Sequence, residues 1–190
     1  TDAVLLGAAM TILPSDRTAL DIGTGTGVIA LMAAQRSEAC NIIGIDIDPA
    51  SAEEASFNFS TSPWKERLTS VCVPLSEFRT GQKFDLIFSN PPYYDSSLKN
   101  PDPREAAARH SDSLSCRDIL SFAAGRLSPE GRLSLILPPV GRQDGHRRAE
   151  KHCVRANLEG RVAVADFEAA ESEDGLGHHT KSPSFISRRG

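Results

Sequence analysis

The chain has 190 residues, of which 39% are hydrophobic and 24% are charged, and its formal net charge is −4. This length leaves room for one α/β domain of an ordinary soluble protein and excludes two full domains. No apolar run approaches the roughly 20 residues that a membrane span needs, no secretory signal is visible, and the acidic balance disfavours a dominant nucleic-acid surface, which needs Lys and Arg.

Apolar periodicity in the first third of the chain predicts alternating helices and strands. In chain order, we expect a helix over 2–13, a strand over 18–22, a helix over 28–35, a strand over 41–47 and a helix from 49 to about 59. The β-branched run that ends at Ile47 is typical of a strand buried on both faces. Asp48 and Pro49 have the residue types that favour the N-cap and the first turn of the following helix.

The alternation continues as far as Pro138 and then weakens. We expect strands over 68–73 and 84–89, a helix from 115 to about 127, a strand over 132–137, a helix near 143–152 and a strand over 162–167. Ser115 opens its helix as the first residue of a Ser-Cys-Arg-Asp capping box. The stretch between the last two elements is too short for another full strand with its turns.

Short apolar strands that alternate with helices favour an α/β fold with a mostly parallel sheet covered on both faces. Right-handed crossovers make such a sheet doubly wound. Residues 171–190 are polar and have no periodicity. We therefore predict a single domain over 1–170, followed by a polar tail over 171–190.

The cysteines are scattered and form no CxxC pair; they are Cys40, Cys72, Cys116 and Cys153. This usage disfavours a zinc site and a disulfide scaffold, so we expect no metal and a reduced protein in the cytoplasm. The chain opens on Thr1-Asp2 without an initiator Met, and its pattern degrades near the other end. We therefore expect that an N-terminal piece is missing and that residues are absent from this numbering where the pattern degrades after Pro138.

A glycine-rich segment follows the first strong strand and leads into a helix. It reads Asp21-Ile22-Gly23-Thr24-Gly25-Thr26-Gly27, and Val28 stands where a GxGxxG dinucleotide fingerprint has its third glycine. Glycines there let the backbone turn sharply and approach a ligand closely. Asp46 ends the next strand and is the kind of acid that accepts hydrogen bonds from ribose hydroxyls. The sequence thus predicts a nucleoside cofactor at this edge of the sheet, with a tight turn that binds no ligand as the alternative.

This Asp-x-Gly-x-Gly-x-Gly pattern with its partner acid resembles the class I methyltransferases, which bind S-adenosylmethionine on a Rossmann-like sheet of seven strands. The resemblance implies that the glycine loop supports the methionine end of this cofactor and that Asp46 holds its ribose. A residue after the third strand, often Asp in the family, contacts the adenine; here residues 73–77 contain no Asp, so Ser76 or a backbone group takes that place. The implied cofactor contacts are Asp21, Gly23, Thr24, Gly25, Gly27, Asp46, Ile47, Ser76 and Asn90.

The tetrad Asn90-Pro91-Pro92-Tyr93 follows the fourth strand, at the edge that faces the glycine loop. The prolines fix φ and remove two donors, so the Pro91 carbonyl is rigid and available as an acceptor. With Asn90 as a second acceptor and the Tyr93 ring as a flat apolar face, the tetrad suits an NH2 group on a conjugated ring or carbonyl. Two acceptors on its hydrogens localise the nitrogen lone pair for attack on a methyl group. A proline-rich turn that only ends a strand is the alternative.

The tetrad is shared by adenine-N6, cytosine-N4 and glutamine-N5 methyltransferases, so it leaves the substrate open. The runs over 98–104 and 108–115 resemble the bacterial tRNA valine adenine-N6 methyltransferases, as does the run over 1–7. The resemblance implies methylation of the adenosine beside the anticodon, on a single-stranded loop whose bases can be splayed out. It also implies roles in RNA or cofactor binding for Asp2, Tyr93, Lys99, Arg104, Arg109 and His110.

Several alternatives stay open. A glutamine-N5 methyltransferase for release factors has the same tetrad but usually carries an N-terminal helical domain, and a guanine-N2 methyltransferase for ribosomal RNA often has Phe in place of Tyr93. Intact Asn90 and Tyr93 disfavour a non-catalytic module that binds S-adenosylmethionine or RNA, and Val28 disfavours a nicotinamide oxidoreductase. The Arg109-His110 pair suits a loop brace as well as an RNA contact. We expect the protein to be a monomer.

Overall fold

A computed structural model of the chain describes residues 2–91, 114–137, 151–157 and 162–167. The helices are α1 Asp2–Ala9, α2 Val28–Arg36, α3 Pro49–Thr61 and α4 Cys116–Arg126. The strands up to residue 137 are β1 Thr18–Ile22, β2 Asn41–Asp46, β3 Leu68–Cys72, β4 Phe84–Ser89 and β5 Leu127–Leu137. The predicted alternation of helices and strands is confirmed over these residues, and most bounds lie close to those predicted.

These five strands pair in parallel, in the order β3-β2-β1-β4-β5. The order reverses between β1 and β4, because β2 and β3 lie on one side of β1 while β4 and β5 lie on the other. Open α/β sheets bind ligands outside the carboxyl ends of the strands at such a reversal. The sheet therefore presents its ligand-binding edge where β1 and β4 end.

Each face of the sheet has its own apolar core. Successive side chains of a strand point to opposite faces, and accordingly Ala19 and Leu20 of β1 belong to different cores. The first core joins α1, α2 and α3 to the sheet through side chains such as Leu6 and Phe59. The second core joins α4 through Ile119. Helices therefore cover both faces, as predicted for a doubly wound sheet.

Side-chain caps define the starts of α3 and α4 where the sequence predicts them. The Asp48 carboxylate accepts a hydrogen bond from the Ser51 N–H at 2.9 Å. The Ser115 hydroxyl accepts from the Asp118 N–H at 3.2 Å, and the Asp118 carboxylate accepts from the Ser115 N–H at 3.2 Å, which completes the capping box. Each cap stabilises its helix, because it satisfies a backbone N–H that has no partner within the helix.

Helix α1 ends at Ala9, earlier than the predicted 13, because Asp16 holds the following residues in another conformation. The Asp16 carboxylate accepts a hydrogen bond from the Leu13 N–H at 2.7 Å. The same buried carboxylate forms an ion pair with Arg132 on β5. Asp16, which Arg132 of β5 contacts, thus engages the Leu13 N–H within the span that helical periodicity predicts as helix.

Strand β5 begins at Leu127, earlier than the predicted 132. Leu127 pairs with Phe84, and a bulge follows before the ladder resumes where Leu86 pairs with Arg132. Gly131 permits this close approach, because a Cβ at that position would lie 2.7 Å from the Phe84 carbonyl oxygen. Residues 127–131 read Leu-Ser-Pro-Glu-Gly, whose Pro and Gly indicate a turn when the sequence is read alone.

Two further strands, β6 Lys151–Asn157 and β7 Val162–Phe167, follow β5 in antiparallel pairing. The strand predicted at β7 is confirmed. The prediction of a helix near 143–152 is wrong for residues 151 and 152, which belong to β6. The rest of that predicted helix lies outside the described residues. The prediction that no strand fits before β7 is also wrong, because antiparallel neighbours need only a short connection and no crossover.

Within the described residues, the cysteines, the possible metal ligands and the helix lengths can each be compared with the predictions. Cys40, Cys72 and Cys116 are free thiols. Over the described ranges, no group of three or more His, Cys, Asp or Glu side chains gathers as a metal site would require. No helix in those ranges has the length and apolar character needed to cross a membrane. The predicted tail over 171–190 lies outside them.

Candidate cofactor and catalytic site

Three glycines shape the loop between β1 and α2. Gly23, Gly25 and Gly27 have φ angles of +72°, +54° and +81°, in the left-handed region that side-chain-bearing residues rarely adopt. Gly27 packs against the Phe59 ring so closely that a Cβ would overlap it. At Gly25, by contrast, no described atom lies within 4 Å of the Cβ position, so the backbone borders open space. The loop therefore presents bare backbone to a ligand.

The end of β2 holds this loop in place. The Ile45 carbonyl oxygen accepts hydrogen bonds from the N–H groups of Gly23 and Thr24, each at 2.9 Å. The Asp46 carboxylate accepts one from the Gly25 N–H at 2.8 Å through Oδ2, and one from the Asp48 N–H at 3.0 Å through Oδ1. Each carboxylate oxygen retains capacity for a further donor. The predicted ribose acid thus lies beside the glycine loop and also supports it.

Asp21 lies beneath the loop and is 0% exposed. Its Oδ2 accepts a hydrogen bond from the Thr24 hydroxyl at 2.8 Å. Among the described residues its Oδ1 has no hydrogen-bond partner, which is uncommon for a buried polar atom. Burial raises the pKa of Asp21 to about 7; the Thr24 hydrogen bond opposes this rise, and the charge of Asp46 adds to it. The loop is therefore built over a carboxyl group that changes charge near neutral pH.

A cavity of about 930 Å³ opens at the carboxyl ends of β1, β2 and β3, which is a size typical of small-molecule sites. Four predicted cofactor residues line it, namely Gly23, Asp46, Ile47 and Ser76. Ile47 keeps half of its side chain exposed at the cavity wall. The other described walls of the cavity come from the segment after β3 and from α4. The structure thus brings together most of the residues expected around the ribose and the adenine.

Sequence reasoning missed the aromatic part of this wall. Phe78, after β3, and Phe122, on α4, both line the cavity, and their ring centroids lie 6.1 Å apart. Apolar ring faces of this kind suit a planar base. The residues of α4 that line the cavity are Asp118, Ser121, Phe122, Gly125 and Arg126. Their helical spacing is a signal that would have identified this face once α4 was known to approach the segment after β3.

The start of the predicted catalytic tetrad lies at the end of β4, next to β1. Asn90 is half-buried and Pro91 is buried. The residue before them, Ser89, donates its hydroxyl to the Ile22 carbonyl oxygen at 2.6 Å. Because Ile22 directly precedes Gly23, the tetrad and the glycine loop begin at neighbouring points of the same edge. This juxtaposition is the one that the sequence predicts.

The remaining predicted site residues fall into two groups. Pro92, Tyr93, Lys99, Arg104, Arg109 and His110 lie outside the described residues. Asp2 is the first residue of α1, and α1 packs on α2. Asp2, Asp21, Thr24, Gly25, Gly27 and Asn90 are not among the described residues that line the cavity. Five of these six residues still lie at the strand ends or in the glycine loop. Asp2 is the exception, because it lies on α1.

The described residues fit S-adenosylmethionine as the expected cofactor. The glycine loop offers a bare backbone surface, Asp46 offers carboxylate oxygens for ribose hydroxyls, and the paired Phe78 and Phe122 rings offer an apolar surface for a base. Ser76 provides a backbone and a hydroxyl at the same wall. These three kinds of group correspond to the methionine, ribose and adenine parts of the cofactor.

Comparison with known proteins identifies the family. The model of the family described as "Methyltransferase small domain" matches residues 3–140. A tRNA1(Val) (adenine(37)-N6)-methyltransferase of Bacteroides thetaiotaomicron is 45% identical over 139 residues, which cover 73% of this chain and 58% of that protein. The protein of the same name from Parabacteroides distasonis is 46% identical over 140 residues, with the same coverage of 73% and 58%. The chain therefore spans somewhat more than half the length of these curated relatives.

Among solved structures, an S-adenosylmethionine-dependent methyltransferase from Thiobacillus denitrificans, in complex with S-adenosyl-L-homocysteine, aligns with a TM-score of 0.54. Its sequence is 16% identical, and the alignment covers 74% of this chain and 51% of that one. At this identity the likeness shows the fold alone, and it agrees with the parallel sheet described above. The family match spans the sheet from α1 to the end of β5, and on that basis the chain belongs to the methyltransferase small domain family.

Proposed function

We propose that this protein transfers a methyl group from S-adenosylmethionine to the exocyclic N6 of an adenosine in tRNA, namely the adenosine at position 37, beside the anticodon of tRNA(Val). The observation that carries the proposal is the placement of Asn90 and Pro91 at the end of β4. This strand pairs directly with β1, and the glycine loop follows β1. A methyl donor on the loop and an amine held by the tetrad then meet at one edge of the sheet. The names of the curated relatives support the choice of substrate.

The cofactor site follows from the described contacts. Bound S-adenosylmethionine supplies an electrophilic methyl group on its sulfonium. Asp46 would accept hydrogen bonds from the ribose hydroxyls, while Ile47 and the Phe78 and Phe122 rings would contact the adenine. Ser76 replaces the Asp that many class I methyltransferases have after the third strand. Bare backbone at Gly23, Thr24, Gly25 and Gly27 faces the methionine end, with Asp2 near it.

The tetrad supplies orientation and electrostatic stabilisation rather than a strong base. The Asn90 side-chain oxygen and the Pro91 carbonyl accept the two hydrogens of the adenine NH2 group. The nitrogen would then become more tetrahedral, with its lone pair localised toward the methyl group. As the N–C bond forms the S–C bond would break, S-adenosylhomocysteine would leave, and the methylated nitrogen would release one proton to water. Pro92 keeps the backbone rigid, and Tyr93 stacks on the base. Alignment of this kind supplies several kcal/mol of the barrier, and the acceptors stabilise positive charge that develops on nitrogen.

The RNA side of the site depends on residues beyond the described ranges. In this proposal Lys99, Arg104, Arg109 and His110 contact the anticodon loop or order the segment that covers the base. A base that reacts is taken out of its stack into a pocket, and this costs least in a single-stranded loop. The complete domain over 1–170 is proposed to have seven strands and to act as a monomer in the cytoplasm. Residues 171–190 are its tail.

The test is transfer of labelled methyl from S-adenosylmethionine to bulk tRNA isolated without this modification. Release factor and ribosomal RNA are offered as parallel acceptors, because glutamine-N5 and guanine-N2 methyltransferases use related tetrads. The proposal expects label in tRNA alone. Label in release factor or ribosomal RNA, with unlabelled tRNA, would contradict the choice of substrate. Binding of NAD without binding of S-adenosylhomocysteine would contradict the reaction itself.

A further inference from the structure

We infer that Ser89 is a positioning residue that fixes Asn90 relative to the glycine loop, an inference that rests on the proposed function. Ser89 is the last residue of β4 and is 0% exposed. Its hydroxyl donates a hydrogen bond of 2.6 Å to the carbonyl oxygen of Ile22, the last residue of β1. Ile22 precedes Gly23, and Ser89 precedes Asn90. The bond therefore joins the start of the catalytic tetrad to the start of the cofactor loop.

The hydroxyl extends the contact between β1 and β4 beyond their backbone pairing. The register of these strands runs from Ala19 with Leu86 to Asp21 with Phe88, and Ser89 lies one residue past its end. On the other side of β4, Ser89 pairs with Leu135 of β5 through the backbone ladder. On the β1 side, its side chain makes the link that the ladder no longer provides.

The glycine loop has supports of its own, which do not involve Ser89. The Ile45 carbonyl holds the N–H groups of Gly23 and Thr24, and the Asp46 carboxylate holds that of Gly25. Loss of the Ser89 hydroxyl therefore removes the hold on the β1 side of the end of β4, where only the pairing with β5 remains, while the loop keeps its own supports. The expected consequence is misplacement of the amine acceptors relative to an otherwise intact cofactor site.

The test compares Ser89→Ala with Ser89→Thr, which keeps a hydroxyl at a strand position that suits β-branched residues. The matched control is Ser134→Ala, which removes a serine hydroxyl that is 1% exposed on the neighbouring strand β5. For Ser89→Ala we expect kcat to fall by roughly 10- to 100-fold, because misplacement of reacting groups costs about that much. We expect its Kd for S-adenosylhomocysteine to stay within about twofold, since the lost interaction acts on the transition state. Ser89→Thr and Ser134→Ala are expected to keep kcat near that of the wild type.

Three results would overturn the inference: an unchanged kcat for Ser89→Ala, an equal loss of kcat and of cofactor affinity, or an equal loss of kcat in Ser134→Ala. The kcat ratio is measured on whichever acceptor the wild type methylates, so a wrong substrate does not affect it. If the wild type methylates none of the acceptors, the proposed function fails and NMR of the 15N-labelled protein decides. The inference then expects Ser89→Ala to shift the Asn90 side-chain amide resonances more than the Gly25 amide, and equal or absent shifts would contradict it.

Discussion

The Asp46 carboxylate accepts a hydrogen bond from the Gly25 N–H at 2.8 Å, so the acid at the end of β2 directly supports the loop at the end of β1. Its second oxygen accepts from the Asp48 N–H, at the start of α3. In the proposed function the same carboxylate also binds the ribose. The proposed ribose contact and one of the supports of the loop therefore share a single side chain.

Asp46→Asn is expected to weaken the binding of S-adenosylhomocysteine by about 10- to 100-fold, which is the effect of losing a charged acceptor and leaving a donor unpaired. An Asn side chain has one acceptor oxygen and one NH2 group, so either the Gly25 or the Asp48 N–H would face a donor. Isothermal titration calorimetry measures the change. The control is Glu54→Gln, which neutralises an exposed acid on α3. Equal affinities in the two variants would contradict the role of Asp46.

Asp21→Asn is expected to change how stability depends on pH. The pKa of Asp21 is about 7 in the folded chain against the ordinary 3.8, because the carboxyl group is buried. The folded state thus binds this proton more tightly. The contribution of Asp21 to the free energy of unfolding is therefore most favourable below pH 3.8 and declines as pH rises to about 7. This decline amounts to up to about 4 kcal/mol. The Asn side chain does not titrate, so the stability of the variant relative to the wild type should rise with pH.

Urea unfolding between about pH 3 and pH 8 measures this difference. Asp48→Asn serves as the control of opposite sign, because the hydrogen bonds from Ser51 lower the pKa of Asp48. Its stability relative to the wild type should fall as pH rises through the acid range. A difference between Asp21→Asn and the wild type that does not change with pH would show that Asp21 does not titrate in this way.

Phe122→Ala is expected to weaken S-adenosylhomocysteine binding by about tenfold, which corresponds to loss of roughly 1.4 kcal/mol of aromatic contact. Phe122 lines the cavity beside Phe78. Phe57→Ala is the matched control, since this ring on α3 is 66% exposed and does not line the cavity. Fluorescence or calorimetric titration of the three proteins gives the affinities. The aromatic wall would lose its assigned role if both variants bound the cofactor product like the wild type.

Gly25→Ala is expected to lower cofactor affinity and also to destabilise the fold by about 1–2 kcal/mol, because its φ is +54°. The added methyl group enters the open space that the ligand is proposed to occupy. Gly81→Ala is the control, since open space surrounds its Cβ position and its φ is not in the left-handed range. Thermal unfolding with and without S-adenosylhomocysteine separates the two effects. The same ligand-induced rise in Tm for both variants would contradict a ligand at Gly25.

The sequence was sufficient to predict the fold wherever local pattern and long-range pairing agree. The β-branched run of β2, the glycines after β1 and the caps of α3 and α4 each have a local physical cause, and the structure confirms them. The predicted end of α1 and the predicted start of β5 were wrong. Asp16, which forms an ion pair with Arg132, engages the Leu13 N–H after α1, and a bulge opposite Phe84 lets β5 begin earlier. Neither contact is visible along the chain.

The sequence also predicts which residues meet at the site. Gly23, Asp46, Ile47 and Ser76 line one cavity because motif spacing relates each of them to the end of a strand, and their roles in cofactor binding stay predictions. The Phe78–Phe122 wall was missed because it requires α4 to approach the segment after β3, which is a tertiary relation. The antiparallel β6 was missed for a related reason, since a parallel-sheet expectation demands a crossover that this strand does not need.

The most direct test of the central claim uses an unmodified tRNA(Val) transcript, S-adenosylmethionine and nucleoside mass spectrometry. A second transcript, with guanosine in place of the adenosine at position 37, is the matched control for the substrate, and Asn90→Ala is the control for the tetrad. The proposed function predicts N6-methyladenosine at position 37 of the first transcript, no product from the second, and at least roughly 100-fold slower transfer by Asn90→Ala with nearly unchanged affinity for S-adenosylhomocysteine. Methylation of both transcripts alike, or full activity of Asn90→Ala, would contradict it.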